Sequence, residues 1–346
     1  MIRTLSTLAL CLSALAPANA SPLLSPWDAD PIALTNAAYT CPAIPAIARD
    51  LTTDGFYRLD DPTHSIIDPV REAAYKASAD PVKKAGAIIV AAADAYRTTG
   101  SRAAAQCVVD RTFSMAQAQS LTGKMSSNQA YYVQGWIAGA IAIAYLKVRA
   151  THLETPEQND LIGKWLISVN NQTTAYYDRD HKSGDAQNNH YYWAGIQSTA
   201  IGTVANDRHA FDWGIHTYKT GVGQIRPDGT LPREMERGTR ALHYHLYALA
   251  PLVLLAEFGE ANGDDLYALD QGAIHKLVKI SVAGMVDPAF FAKTTGIQQE
   301  HAATPSGDQI GWAPPYQRRF PNPTLARFIA NAPSLSVPYL GGLPPK

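Results

Sequence analysis

Apolar residues recur every three to four positions along most of the chain, and polar turn signals separate these runs. In the stretch 128–150, for example, Val133, Ile137, Ile141 and Ala144 follow this spacing, which places them on one face of an α-helix. Sustained alternation of apolar and polar residues, the mark of β-strands, is not found in the sequence. The pattern predicts an all-α chain with helices over residues 81–98, 101–120, 128–150, 156–169, 191–204, 210–221, 237–259 and 264–284.

Ala and Gly are frequent in every predicted helix and would let neighbouring helices pack closely. Two architectures fit such a series of helical hairpins: a toroid around a central groove, and an α-solenoid. A solenoid requires a repeated sequence unit, and none is found, so the toroid is favoured. Residues 285–346 are rich in Pro and Gly and are expected to wrap the outside and the rim. Residues 53–71 are interpreted as a long ordered loop, of the kind that forms a lid over a site.

The first 20 residues have the composition of a secretory signal peptide. Arg3 supplies the positive charge, residues 5–15 are apolar, and Ala-Asn-Ala at 18–20 fits the small-residue cleavage rule. The apolar stretch is too short to span a bilayer, which takes roughly 20 residues. We therefore expect residues 21–346 to form a single domain, exported to the periplasm or secreted, without stable membrane insertion.

Export would place the chain in an oxidising compartment, where two cysteines remain once the signal peptide is removed. Cys41 and Cys107 are therefore predicted to form one disulfide. The formal net charge is −1 over 346 residues, so the chain has no overall positive field that would attract nucleic acid. An anionic ligand would need positive charge gathered locally in a groove.

Residues 187–195, QNNHYYWAG, form a polar and aromatic cluster that no simple core pattern requires. The two asparagines and the histidine at 188–190 need hydrogen-bond partners. The three aromatic residues at 191–193 offer flat surfaces with polar edges. Both features are expected in a site that binds a polar, flat ligand such as a sugar.

A second cluster, DGTLPREMERGTRALHYHLYAL at 228–249, brings Arg, His and Tyr to the start of a predicted helix. Residues seven apart share a helix face, so Arg237 can pair with Tyr244. Arg240 can pair with Tyr247 in the same way, and the spacing alone does not choose between them. A lone Arg–Tyr pair is usually a surface stack. Two clusters that each open a helix favour a shared groove, because helix starts at one rim of a toroid converge.

These residue types fit the cleavage of a uronic-acid polymer by β-elimination. Removing the C5 proton of a uronate creates a carbanion beside a carboxylate, so the charge of that carboxylate must first be neutralised. Arg neutralises it by bidentate pairing, and Asn or His adds hydrogen bonds. A Tyr whose pKa of ~10 is lowered by neighbouring Arg and His can then take the proton. The same Tyr can return it to the glycosidic oxygen at C4, which leaves an unsaturated sugar.

The two clusters and their separation of about fifty residues resemble the motifs of the bacterial periplasmic alginate lyases of polysaccharide lyase family 5. This resemblance implies an incomplete (α/α) toroid of helical hairpins with a central tunnel-like cleft. It also implies cleavage of alginate, rich in mannuronate, to give 4,5-unsaturated uronate ends. The matching segments are NNHYYWAG at 188–195, RGTRALHYHLYALAPLV at 237–253, DGTLPREMERG at 228–238, AIAYLKV at 142–148, Ile67-Asp68-Pro69 and Cys107.

The resemblance also assigns roles to single residues. It makes Arg237 and Tyr244 the active pair, with Tyr244 as both base and acid for mannuronate. Asn189 and Arg237 would hold the carboxylate, and His190 would be the base for the epimer with the opposite C5 configuration. Neither a metal nor an organic cofactor is implied, and the expected partner is an anionic polysaccharide bound by a monomer. The candidate groove residues are Gln129, Tyr132 and Arg319 by resemblance, and Trp193 as an aromatic surface of the first cluster.

Other interpretations stay open at this point. The substrate could be another polyuronate, such as polyglucuronate or hyaluronan. A glycoside hydrolase on a helical toroid would need two opposed carboxylates. A polysaccharide-binding protein without activity would keep the Arg and aromatic residues but would have no use for the Tyr, His and Asn set. The carboxylates near the motifs, none of them among the aromatic residues at 187–195 or 240–249, are Asp185, Asp228, Glu234 and Glu236.

Overall fold

The computed structural model describes residues 21–179, 184–300 and 304–346, and the predicted signal peptide at 1–20 lies outside these ranges. Within them the chain is all-α, as predicted, and its extended pairings are isolated bridges. Short 3-10 turns follow or precede several helices, among them Gly238–Arg240 and Pro338–Leu340. The α-helices are α1 (Pro69–Thr99), α2 (Arg102–Gln117), α3 (Asn128–Val148), α4 (Pro156–Arg179), α5 (Asn189–Ala205), α6 (Arg208–Gly223), α7 (Pro232–Met235), α8 (Ala241–Ala261), α9 (Leu269–Val286), α10 (Ala289–Thr295), α11 (Gly307–Ile310), α12 (Ala313–Arg319) and α13 (Pro323–Asn331).

The long helices form two rows, which is the predicted (α/α) toroid. Helices α1, α3, α5 and α8 form the inner row, and each packs against the next in that order. Helices α2, α4, α6 and α9 pack on the outside of the inner helix that precedes them. The C-terminal segment bridges the two ends of the inner row, since α11 contacts α8 and the turn Pro338–Leu340 contacts α1 and α3. The four hairpins therefore form an incomplete ring, and the C-terminal segment covers the gap between its two ends.

Small residues allow the close approach of inner and outer helices that the sequence predicted. A Cβ added at Gly195 of α5 would lie 1.7 Å from Thr217 Oγ1 of α6, and one added at Gly214 would lie 2.1 Å from Thr199 Oγ1. Side chains larger than hydrogen at these two positions would push the helices apart. Gly238–Ala261, which includes α8, is long and apolar enough to cross a membrane, but most of it is buried inside the fold, as in a core helix.

Three helix starts differ by four residues or more from their predicted positions, those of α1, α8 and α9, and α9 begins at Leu269 instead of 264. Helix α1 begins at Pro69, not at 81, because Asp68 caps it by accepting from the backbone N–H groups of Val70 and Arg71, and Pro69 occupies the first turn. Pro81 lies inside this helix. The helix predicted from 237 begins only at Ala241, after the 3-10 turn. The predicted lid loop therefore ends at residue 68.

The predicted disulfide between Cys41 and Cys107 is present, with a Cα–Cα distance of 5.5 Å. It ties the irregular N-terminal segment to α2. The C-terminal residues from 285 onward hold the four short helices α10 to α13 in addition to irregular chain. Their last turn reaches the central cleft, as described below.

Candidate active site

The first turns of the four inner helices open into one cleft with a volume of about 570 Å³. The prediction that helix starts converge at one rim is therefore confirmed. The positive ends of these helix dipoles also face the same space, which favours an anionic ligand. Lid residues 54–59 and His64 cover the cleft from one side. The inner helices and the C-terminal turn contribute Arg71, Tyr75, Lys83, Asn128, Gln129, Tyr132, Trp136, His190, His243, Tyr244, Tyr247 and Tyr339.

The cleft concentrates positive charge in a chain whose net charge is −1. Among the described residues that line it, one carboxylate, Asp54, faces five cationic side chains. Three of these cations have acidic partners nearby, since Arg58 pairs with Asp60, Arg240 pairs with Glu300, and Lys83 lies 3.7 Å from Asp80. The five cations are Arg58, Arg71, Lys83, Arg237 and Arg240. The charge distribution suits a polyanion, as the sequence required.

Tyr244 lies near the start of α8 and is 8% exposed. Its hydroxyl is 2.7 Å from the hydroxyl of Tyr57 in the lid. The Nη1 group of Arg240 donates to Tyr57 Oη at 2.9 Å. A guanidinium only donates, so Tyr57 accepts there. Its hydroxyl keeps one hydrogen and a second lone pair, so either Tyr57 or Tyr244 can be the donor between them. When Tyr244 is ionised, its oxygen only accepts, and Tyr57 is then the donor.

Arg237 lies over the ring of Tyr244, with 3.7 Å between Cζ and the ring centroid. The two residues do not share a continuous helix, as the seven-residue spacing had assumed. Gly238, with φ +55°, turns the chain between them, and this left-handed conformation is one that glycine adopts at little cost. Arg237 Nη2 donates to the backbone oxygen of His64 at 2.7 Å. Its Nε is buried and has no hydrogen-bond partner in the described ranges, so it can still donate to a ligand.

The net direction of the Tyr244 pKa is opposite to the one predicted. Burial raises the pKa of Tyr244, the neighbouring Tyr57 adds to this rise, and the positive charges of Arg237 and Arg240 lower the pKa only in part. The predicted contribution of a histidine is absent from these causes, because His243 is itself held neutral. Burial and the charge of Arg240 lower the pKa of His243 to about 4. A phenolate at Tyr244 therefore depends on the two arginines.

His190 lies in the first turn of α5 and lines the cleft, and its ring stacks on Tyr132 with 4.1 Å between centroids. Asn188 Oδ1 accepts from the backbone N–H of His190 at 2.9 Å and lies 2.9 Å from the ring Nδ1. An amide oxygen only accepts, so Nδ1 carries the hydrogen in the neutral ring. The lone pair is then on Nε2, which makes this nitrogen the basic one.

We expect Asn188→Ala to change the tautomer of His190, because the acceptor for Nδ1–H is removed. The same change removes the N-cap of α5 and should cost about 1 kcal/mol of unfolding free energy. Asn188→Asp, which can accept both hydrogen bonds, should keep the tautomer and the cap. Nitrogen-15 NMR of the labelled histidine rings reports which nitrogen is protonated. A wild-type His190 with its hydrogen on Nε2 would show that the assignment is wrong.

Asn189 is fully buried and lies behind the cleft wall formed by Asn188 and His190. Its backbone N–H donates to Glu234 Oε1 at 2.8 Å, and its Nδ2 lies 3.1 and 3.0 Å from the two carboxylate oxygens. Glu234 is also fully buried. It comes from α7, and no sequence pattern indicated that it would hold an asparagine 45 residues away.

The structure brings His190, Arg237, Tyr244, Gln129 and Tyr132 into one cleft. It does not bring Arg319 there. That residue ends α12, where its guanidinium binds the carboxylates of Glu257 and Glu260. The position gives no support to the predicted groove role, because the charge is already paired within the fold.

Trp193 also lies outside the lining of the cleft. Its ring packs against Tyr247, with 4.8 Å between centroids, and meets Tyr339 edge-on at 6.4 Å. It therefore supports two aromatic rings that do face the cleft. A direct contact between Trp193 and a ligand remains a prediction.

The two acidic lid residues, Asp60 and Asp61, do not line the cleft. Asp61 accepts from the backbone N–H groups of Thr63, Ser65 and Ile66. Burial opposes ionisation of Asp61, but these hydrogen bonds outweigh it and hold the pKa of the carboxyl below its usual value. Asp61 thus shapes the lid, whereas Asp60 compensates the charge of the cleft residue Arg58.

Comparisons with known proteins agree with this geometry. Residues 54–291 match a family model described as alginate lyase. A polysaccharide lyase of Stenotrophomonas maltophilia is 35% identical over 314 residues, which cover 90% of this chain and 91% of the relative. The crystal structure of alginate lyase A1-III from Sphingomonas species A1 is similar with a TM-score of 0.75 and 26% identity, over 88% of this chain and 86% of the other. A histidine-to-alanine variant of A1-III, complexed with a tetrasaccharide, gives a TM-score of 0.75 and 26% identity over 92% and 88% of the two chains.

Proposed function

This chain belongs to the alginate lyase family of polysaccharide lyases, and we propose that it cleaves mannuronate-rich alginate by β-elimination. The observation that carries the proposal is the stack of Arg237 on Tyr244, with the Tyr57 hydroxyl bonded to the Tyr244 oxygen. A phenol, a cation and a second phenol are thereby assembled in a cleft lined by positive charge. The solved complex of a related alginate lyase with a tetrasaccharide adds support for an oligosaccharide in the same cleft.

The first step is neutralisation of the sugar carboxylate. Arg237 is suited to this role because its Nε has no partner among the described residues and its guanidinium borders the cleft. Pairing with Arg237 lowers the cost of the carbanion that forms at C5, and this interaction strengthens as charge develops. Asn189, also predicted to hold the carboxylate, donates to Glu234 in the described arrangement. It would have to release Glu234 to reach the sugar.

Tyr244 then takes the C5 proton and returns it to the glycosidic oxygen at C4. The bond between C4 and that oxygen breaks, and a C4–C5 double bond remains at the new non-reducing end. One side chain can serve both steps when the proton and the leaving oxygen lie on the same face of the sugar ring. For the epimer, whose C5 proton lies on the other face, His190 is the proposed base, through its basic ring nitrogen Nε2.

The alternatives differ in what they require of the cleft. A hydrolase needs two opposed carboxylates, whereas Asp54 is the one carboxylate among its described lining residues. Glu234 is buried on Asn189, and Glu236 pairs with Arg233. A lyase of polyglucuronate or hyaluronan needs the same chemistry as an alginate lyase. The preferred polyuronate is therefore determined by comparing the rates of cleavage of different polymers.

The proposal is tested by ultraviolet absorbance during incubation with polymannuronate, polyguluronate, polyglucuronate and hyaluronan. We expect absorbance from the C4–C5 double bond to rise fastest with polymannuronate. New reducing ends without absorbance would indicate a hydrolase. Binding of polymer without new ends would indicate a binding protein. If absorbance rises fastest with polyglucuronate or hyaluronan, that polymer is the preferred substrate in place of alginate, and the assignment of β-elimination stands.

The same proposal includes export to the periplasm. The predicted signal peptide lies at 1–20, and the disulfide between Cys41 and Cys107 is consistent with an oxidising compartment. Cell fractionation with the full chain, followed by N-terminal sequencing of the mature protein, tests it. A mature chain beginning at Ser21 in the periplasmic fraction is the expected result.

A further inference from the structure

The central cleft does not end at the motif residues. A second cavity of about 410 Å³ lies beside it, and two residues, Lys83 of α1 and Tyr339 of the C-terminal turn, line both. Neither residue belongs to a motif that the sequence singled out. Tyr339 also lies outside the segment 54–291 that matches the family model. The two residues mark the junction of the two cavities.

Tyr339 is held at this junction by aromatic neighbours and by a buried ion pair. Its ring stacks on Trp136 with 5.3 Å between centroids. Lys147, whose side chain is fully buried, pairs with Asp94 at 2.9 Å. That pair anchors the residues on both sides of the turn. Lys147 donates to the Gly341 oxygen, and Asp94 accepts from Ser336 Oγ and from the backbone N–H of Leu343.

Lys83 is a cation with weak compensation. Its Nζ lies 4.1 Å above the ring of Tyr75 and 3.7 Å from Asp80 Oδ1, which is longer than the roughly 2.7–2.9 Å of a charge-assisted hydrogen bond. Its side chain is 24% exposed, and burial lowers the pKa of the ammonium group. An anion beside Lys83 would replace part of the lost hydration.

We propose that Lys83 and Tyr339 form a distal subsite for a uronate residue that is not the one being cleaved. The sugar ring packs on the face of Tyr339, and its carboxylate pairs with Lys83. This inference rests on the proposed function and adds a second carboxylate contact, remote from Arg237. The second cavity beyond the junction holds Lys84 but also Asp80 and Asp308. The uronate carboxylate is therefore placed at Lys83, on the side that faces the cation-rich central cleft.

The test is binding of uronate oligomers of increasing length, measured by calorimetry in the Tyr244→Phe background so that the ligand is not consumed. We expect affinity to rise once the oligomer reaches Lys83. Lys83→Met should weaken binding of those longer oligomers about 10-fold, the lower end for a hydrogen bond to a charged group. It should leave the shortest oligomers unchanged. Tyr339→Ala should act on the same lengths.

Two controls make the result specific. Lys83→Arg keeps the charge and should retain most of the affinity for long oligomers. Lys76→Met removes an exposed lysine of the same helix that pairs with Glu72 and lines neither cavity, and it should change nothing. Equal loss at every length, or no loss at any length, overturns the subsite. Either result would still leave the proposed function intact if the unmodified chain cleaves polyuronates. Absence of both cleavage and binding would reject both.

Discussion

Tyr244→Phe is expected to abolish turnover while polymer binding stays largely intact. The substitution removes one oxygen, which is the atom that would accept the C5 proton and donate to the glycosidic oxygen. Loss of a positioned acid or base costs about 10²- to 10⁴-fold in rate. Since Tyr244 serves as both, the upper end of this range is expected. The ring of the phenylalanine can still pack under Arg237, so affinity changes little.

The measurement is kcat from ultraviolet absorbance, together with the Kd for polymer. Tyr218→Phe is a matched control, because Tyr218 is a buried helical tyrosine whose hydroxyl donates to the Leu266 backbone oxygen, away from the cleft. That variant should keep its rate and lose about 1 kcal/mol of unfolding free energy. A Tyr244→Phe enzyme as fast as the wild type would reject the assignment of acid and base.

Two arginines assist the ionisation of a phenol that burial makes less acidic. Burial raises the pKa of Tyr244, and Tyr57 raises it further, so the phenolate is scarce in the closed cleft at neutral pH. The positive charges of Arg237 and Arg240 lower that pKa in part. Once the phenolate forms, Tyr57 donates to it, and Arg240 donates to the Tyr57 oxygen. The two arginines thus supply what the sequence interpretation attributes to Arg and His.

The sequence predicts a helix well where the signal comes from residues a few positions apart. The periodicity of α3, for example, reflects contacts within a few residues. The start of α1 was missed because Pro81 was read as a helix start, whereas Asp68 followed by Pro69 is the stronger signal. The break before α8 was missed because the seven-residue spacing fits a helix equally well. Gly238 in a left-handed conformation was the available clue.

The residues that complete the site come from far along the chain, and local patterns carry no information about them. Tyr57 meets Tyr244 across 187 positions, and Glu234 meets Asn189 across 45. Tyr339 reaches the cleft only because a buried pair on α1 and α3 anchors the C-terminal turn. Arg319 was assigned to the groove by resemblance alone. Its pairing with Glu257 depends on packing that the sequence does not show.

Arg237→Ala is expected to reduce kcat by about 10²- to 10³-fold, the range for removing one donor that stabilises developing charge. The effect on substrate affinity should be much smaller. The ground-state carboxylate still meets the other cations of the cleft, whereas the carbanion loses the guanidinium nearest to the reacting carbon. An interaction that grows toward the transition state affects kcat more than KM.

The same substitution should move the pH dependence in a defined direction. The charge of Arg237 lowers the pKa of Tyr244, so its removal raises that pKa and shifts the rising limb of kcat to higher pH. Arg237→Lys, which keeps a positive charge without the planar fork, should keep most of the limb's position but not the full rate. Arg233→Ala is the control, since Arg233 is a neighbouring arginine paired with Glu236 outside the cleft. A raised KM with unchanged kcat and an unmoved pH profile would mean that Arg237 binds substrate without assisting the proton transfer.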